Sequence, residues 1–223
     1  MYWQDEGYLL SRTNSGENSI IIEAFTLNHG KYSGVVYGGS SRKQKKIFQI
    51  SNKILLNWKS KTENKIGYFN VELIKPVSPL FFDDKKKTIC VLASTAILKI
   101  LLPERQINKI IYLSFENLID QFNYDNWIKL YILWELSLIK ELGFEIDFLG
   151  KKNTVIQDNN TIEINDKYLR IPKLFSNQNN KNISKHEIKE ALTFNKNLLI
   201  ENFIAPNRLR LPLSRNILEK YYN

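Results

Sequence analysis

The apolar residues of this chain keep one period up to KPVSPLFFDD (Lys75–Asp84) and a different one beyond it. No single kind of secondary structure satisfies both. Before that stretch the chain offers five short β-rich segments, GYLLSR, NSIIIEAFT, KYSGVVYG, KIFQISNKILLNWKS and IGYFNVELIK. Turn signals part them at Asn14-Ser15-Gly16, Asn28-His29-Gly30, Gly38-Gly39-Ser40-Ser41 and Thr62-Glu63-Asn64. In the fourth segment Ile54, Leu56 and Trp58 take one face while Lys53, Asn57 and Lys59 take the other. Five short strands, one of them long enough to bend across two sheets, predict a small closed barrel over residues 1–79. The pattern alone fits an OB-fold and an SH3-like barrel almost equally well.

Beyond two prolines the spacing becomes helical. Helices are expected over about 84–101 (Ile89, Leu92, Ala96, Ile100), stopped by Pro103, and over about 109–122 (Ile111, Phe115, Leu118, Phe122). Asp83-Asp84 can start the first of them through the helix dipole. A third is expected over about 126–142 (Trp127, Leu130, Trp134, Leu138, Leu142), closed by Gly143 and apolar enough elsewhere to be buried on most sides. Residues 151–182 are polar and loop-rich, and TVIQDNNTIEI there can form a hairpin across Asn159-Asn160. Ser184 and Glu187 make a capping box for a last long helix to about Phe203, and LPLSRNILEKYY closes the chain. The expected architecture is α+β and multidomain. A barrel spans 1–79 and an α-helical domain 80–223, with 151–182 as a small polar hairpin or loop insertion.

Charge is where the sequence first speaks of function. The formal net charge is +9, unevenly spread. Residues 1–30 hold one cation against four anions, residues 31–75 ten against two, and residues 76–223 twenty-one against seventeen. With 25 Lys, 7 Arg, 25 Asn and 28 Ile, lysine abundance itself looks like codon bias, which acts on the whole chain; its localisation does not. Four cations, Arg42, Lys43, Lys45 and Lys46, sit on the Gly/Ser-rich connection between the third and fourth β-segments with no acid beside them. The plain reading is a solvated loop. The functional reading is phosphate contact, because glycine and serine let backbone approach a polyanion and clustered cations release counterions on binding. Lys31, Lys53, Lys59, Lys61 and Lys65 are candidates to extend the patch.

Aromatic residues are interleaved with this charge: Tyr32, Tyr37, Phe48, Trp58, Tyr68 and Phe69. Most belong in a core, but exposed aromatics on a small barrel stack single-stranded bases. Tyr32 and Tyr37 flank the basic connection and are preferred to Phe48.

Catalytic constellations are hard to find. His29 and His186 lack metal-ligand spacing, and neither GxxxxGK[ST] nor GxGxxG occurs. The carboxylate pairs Asp83-Asp84 and Glu145/Asp147 read as caps and surface charge before they read as a nuclease site. Cys90 is the only cysteine, which rules out an intrachain disulfide and a cysteine zinc site and fits a reducing compartment. The opening MYWQDEGYLL lacks a basic region before an apolar core, so no signal peptide is expected. The longest uncharged run, Thr88 to Leu98, falls short of the ~20 residues that span a bilayer. A cytoplasmic binding protein is expected, with no catalytic residue, cofactor or metal assigned.

The chain resembles the bacterial recombination mediator and DNA repair family RecO. DEGYLLSRTNSGENSIIIEAFT is like the family's opening hairpin, and TLNHGK followed by GGSSR is like its next segment. WELSLIKELGFEIDF is the most specific match, with LPERQ and LRLPLSR in support, and coverage is weakest over 151–182. The resemblance implies an OB-fold followed by a helical domain. It also implies a non-enzymatic mediator that binds single- and double-stranded DNA and anneals complementary strands. Such a mediator works with RecR to help load RecA on DNA coated by single-strand-binding protein, whose acidic tail it meets on the helical domain, here suggested near 127–148. DNA contact is carried over to Lys31, Arg42, Lys43, Lys45 and Lys46. Many relatives carry a four-cysteine zinc module where this chain has 151–182 without cysteine, so zinc is not carried over. Rival readings are a metal-dependent nuclease, an RNA-binding OB module, and a scaffold that only docks RecR.

Overall fold

The five β-rich segments become five strands in a computed structural model, which describes residues 1–42, 44–62, 65–144, 161–165, 167–176 and 183–222. They are β1 (Tyr2–Ser15), β2 (Ser19–Thr26), β3 (Gly30–Tyr37), β4 (Lys53–Lys59) and β5 (Gly67–Lys75). The barrel closes in the order β1-β2-β3-β5-β4. All neighbours are antiparallel except β3 and β5, which run parallel through Gly34↔Gly67 and Val35↔Tyr68. This is an OB-fold.

Closure depends on β1 and on Gly34. β1 pairs with β4 over Tyr2–Tyr8 and with β2 over Gly7–Ser15, bending at an irregularity between Leu9 and Ser11. The strand that bends across two sheets is therefore the first. At Gly34 a Cβ would lie 2.5 Å from the Phe69 ring, so only glycine lets β3 come up against β5. Alternation fills the interior with Leu9, Ile20, Ile22, Ala24, Val36, Ile54, Leu56, Trp58 and Phe69.

The segment KIFQISNKILLNWKS is a strand only from Lys53 onward. Ahead of it Gln44–Lys46 forms one turn of 3-10 helix, Phe48 enters the barrel core, and Ser51 takes a φ of 74°. Asn52 holds this irregular chain. Its Nδ2 donates to the carbonyls of Lys46 and Ile47 at 3.1 Å each, and its Oδ1 accepts from the Val77 amide at 2.9 Å. A buried side-chain amide thus replaces ladder bonds the backbone does not make.

The chain divides into two compact units, residues 1–119 and 120–223. The first unit includes more than the barrel. Helix α1 (Lys85–Leu101) starts on Asp84, whose carboxylate accepts from the Lys86 and Lys87 amides at 3.0 and 3.1 Å, and stops before Pro103. The Thr95 hydroxyl on α1 meets that of Ser51 at 2.6 Å. Helix α2 (Lys109–Gln121) sets Tyr112 against Phe25, at 5.5 Å between ring centroids, and Phe115 against Tyr8, at 5.0 Å.

The second unit holds α3 (Trp127–Glu141), a hairpin of β6 (Thr161–Ile164) and β7 (Lys167–Arg170), α4 (Lys173–Ser176), α5 (Lys185–Leu199) and α6 (Leu213–Lys220). α3 buries most of its length and ends at Gly143, whose φ of +99° suits a C-cap. The capping box at Ser184 and Glu187 starts α5, which continues as a π-helical turn over Ile200–Ile204. TIEI is the first arm of a hairpin turning at Asn165, with φ 49°, while the hairpin expected across Asn159-Asn160 lies outside the described residues. Asparagine tolerates the positive φ a tight hairpin needs. Residues 145–160 and 177–182, with most of the insertion, lie outside the described residues. Among the described residues no helix is long and apolar enough to cross a membrane.

Candidate nucleic-acid interface

The connection leaving β3 is pinned at both ends and charged in the middle. At its start the Gly38 amide donates to the Asn18 carbonyl at 2.6 Å and the Ser40 hydroxyl to the Glu17 carbonyl at 3.2 Å. The Ser41 carbonyl then accepts from the Gln44 and Lys45 amides, which winds the short helical turn. At its far end Phe48 and Asn52 anchor it in the barrel. Between these anchors Arg42, Lys45 and Lys46 are exposed, and among the described residues no carboxylate pairs with them. Lys43 lies outside the described residues. Backbone that is already ordered can present such cations to a polyanion without a large ordering cost.

The other expected site residues divide by strand parity. On β3, Tyr32, Gly34 and Val36 point inward, while Lys31, Ser33, Val35 and Tyr37 point outward. Tyr37 is 76% exposed and lies 6.4 Å from Tyr68, itself 42% exposed. Tyr32 instead packs in an aromatic cluster with Trp3 at 5.1 Å and Trp58 at 5.4 Å, and the Arg105 guanidinium sits 5.3 Å from its ring. Phe48 and Phe69 are core, as is Trp58.

Lys31 points outward but is only 9% exposed, because the segment after α1 runs beside β3 and bridges it through Glu104. Its ammonium donates to the Lys99 carbonyl at 2.9 Å, and burial holds its pKa below the ordinary lysine value. Its position sets it apart from the exposed cations. Lys53 is also taken up internally, paired with Glu6 at 3.0 Å and Glu116 at 2.6 Å. Burial works against its charge, but the two carboxylates outweigh that and raise its pKa. Lys59, Lys61 and Lys65 are exposed, with the Lys59 ammonium 5.5 Å from the Tyr2 ring.

Two features escaped the sequence reading. Tyr2, 60% exposed, lies on the same outer face as Lys59; the alternation of Tyr2, Gln4 and Glu6 against Trp3, Asp5 and Gly7 was the signal available. His29, in the β2–β3 turn, is half-buried. Its ring stacks on Trp3 at 4.2 Å and its Nδ1 meets Asp5 at 2.9 Å. Asp5, buried, also accepts from the Asn28 amide at 2.7 Å, which ties β1 to the β2–β3 turn.

In the second unit a groove of about 610 Å³ runs between β7 and α5. Arg170, Lys173 and Lys189 line it together with the carboxylates of Glu187 and Glu190, and Tyr168 and Phe194 give it apolar surface.

Comparison with known proteins divides the chain just after the barrel. The family model described as Recombination protein O N terminal matches residues 1–77, and that described as Recombination protein O C terminal matches 83–202. The DNA repair protein RecO of Roseobacter denitrificans is 36% identical over 147 residues, 66% of this chain and 61% of that protein. That of Wolbachia sp. subsp. Drosophila simulans is 33% identical over 161 residues, 71% of this chain and 66% of the relative. That of Ehrlichia chaffeensis is 37% identical over 149 residues, covering 66% and 60% respectively. The match to the first of these relatives thus spans 61% of its length.

Proposed function

We propose, since this chain belongs to the RecO family of recombination proteins, that it serves DNA repair by gripping DNA electrostatically through its OB-fold and performs no bond chemistry of its own. The observation that carries this is the pinned β3–β4 connection, with Arg42, Lys45 and Lys46 exposed and unanswered by carboxylates among the described residues. Cations that hold a strand by its phosphates leave the base edges free to pair. They also lower the repulsion between two strands, which favours annealing of complements. Both single- and double-stranded DNA can be held this way, with little sequence preference. In this reading the protein acts in the cytoplasm with RecR and helps RecA load on DNA coated by single-strand-binding protein. The acidic, apolar-ended tail of that coat protein is expected on the helical part of the chain, near 127–148.

Fluorescence anisotropy of labelled oligonucleotides at several salt concentrations tests the grip. Replacing Arg42, Lys45 and Lys46 together by Gln should weaken single-strand binding. The slope of log affinity on log salt should fall by about 2, from ~0.7 per lost contact. An unchanged affinity and slope would remove this site. Labelled strands should stay intact in Mg²⁺, and RNA of equal length should not out-compete DNA. Annealing of complementary strands coated with the cognate single-strand-binding protein, with and without its tail, reports the partner directly.

A further inference from the structure

We propose that one end of the barrel's outer face is an aromatic platform on which bases of single-stranded DNA stack, formed by Tyr2, Tyr68 and Tyr37 with Lys59 between the first two. This rests on the DNA-binding reading above and adds to it a second kind of contact, to bases instead of phosphates.

The strand register places these residues together. Tyr2 on β1 pairs with Lys59 on β4, Lys59 with Tyr68 on β5, and Tyr68 with Val35 on β3. Tyr37 follows Val35 on the same face by the two-residue period. Exposed aromatics scattered singly are ordinary; three at adjoining positions on the outer face of neighbouring strands are not scatter. The row is also held ready. The Tyr2 hydroxyl donates to Asn57 Oδ1 at 3.0 Å, and Gln4 Nε2 donates to the same oxygen at 3.0 Å, fixing the acceptor. Lys59 sits by the Tyr2 ring, while Tyr37 and Tyr68 lie tilted by 54° and so do not stack on each other.

Charge says what covers the row. The β4–β5 connection beside it exposes Lys61 and Lys65, and its sequence sets one acid, Glu63, against them. Moving away from it along the same face, the next row is amides, Gln4, Asn57 and Asn70, and only the third brings acids, Glu6 and Glu72. Positive charge and flat rings therefore coincide toward that end of the face. An occupant that offers both phosphates and bare ring faces is a single strand, since a duplex hides its base faces within its own stack.

The test uses the full chain and two oligonucleotides of equal length and phosphate count, one of thymidine and one abasic. Wild type should bind the thymidine strand at least ~thirtyfold more tightly, the low end for two stacked bases. Tyr37→Leu/Tyr68→Leu should lose that preference while keeping the salt slope, because its cations are untouched. Tyr37→Phe/Tyr68→Phe should retain it, and circular dichroism checks that both variants fold. If wild type binds both strands equally, or the leucine variant keeps the preference, the platform is overturned. The phosphate grip then stands alone and the face belongs to a protein contact. Failure of wild type to bind either strand overturns the DNA reading itself, and the platform with it.

Discussion

Arg215 has no exposed surface, and its charge is answered within the second unit although its Nη1 makes no hydrogen bond. Its Nε donates to Glu135 Oε1 at 2.6 Å and its Nη2 to Glu135 Oε2 at 3.0 Å and to the Leu192 carbonyl at 2.7 Å. Tyr131 also donates to Glu135, at 2.9 Å, and Glu219 stands 3.7 Å from Nη1. Burial disfavours the guanidinium charge, but Glu135 more than offsets it and raises the pKa. Arg215→Met leaves the buried Glu135 carboxylate unpaired and should cost about 3–5 kcal/mol in urea unfolding. Arg215→Met/Glu135→Leu should recover most of that loss. A double variant no better than the single one would show that the pair stabilises in its own right. Nothing in LPLSRNILEKYY marks this arginine as interior, because a buried cation is legible only through a partner that here lies eighty residues away in the chain.

At the scale of elements, local signals were read well where their causes are local. The Asp84 cap, the stop before Pro103, the Gly143 terminus and the Ser184–Glu187 box all involve groups within a few residues of one another. Ser184→Ala removes the hydroxyl that accepts from the Glu187 amide at 3.2 Å, and should lower stability by about 1 kcal/mol. The Ser184 amide, and then its hydroxyl, hold the Glu187 carboxyl below its ordinary value of 4.5. A folded pKa below the unfolded one gives stability that is complete above about pH 4.5 and fades as pH falls through the folded value. The gap between wild type and Ser184→Ala should therefore be smaller in acid than at neutral pH. An equal gap in both would separate the carboxylate from the cap. The start of β4 was not readable in the same way. KIFQIS has strand composition, but Phe48 fills the barrel and Asn52 binds Val77, and neither demand is local.

For the whole molecule, the change of apolar period and the division into compact units fall at different places. The period changes near residue 79, while contacts group residues 1–119. The reason is that α1 and α2 cover outward-facing barrel residues such as Tyr8 and Phe25, both buried. Each such side chain contributes ~1.5–3 kcal/mol when covered, against a net stability of ~5–15 kcal/mol for a domain. A fragment ending after α2 at Gln121 should show dispersed NMR amide signals and cooperative unfolding. A fragment ending at residue 79 should show neither, and a well-folded short fragment would mean that the barrel needs no helical cover.

The sequence by itself determined the five barrel strands, the inward set of the fourth, the long helices, and the segment that carries the positive charge. All of these follow from the spacing of neighbours along the chain. It could not determine which cations remain available. Lys31 and Lys53 face outward by the same parity as Tyr37 and Lys59, yet the first two are covered by the end of α1 and by Glu116 of α2, while the latter stay open. That choice belongs to the tertiary structure, because the covering groups come more than fifty residues later and only packing brings them to the barrel.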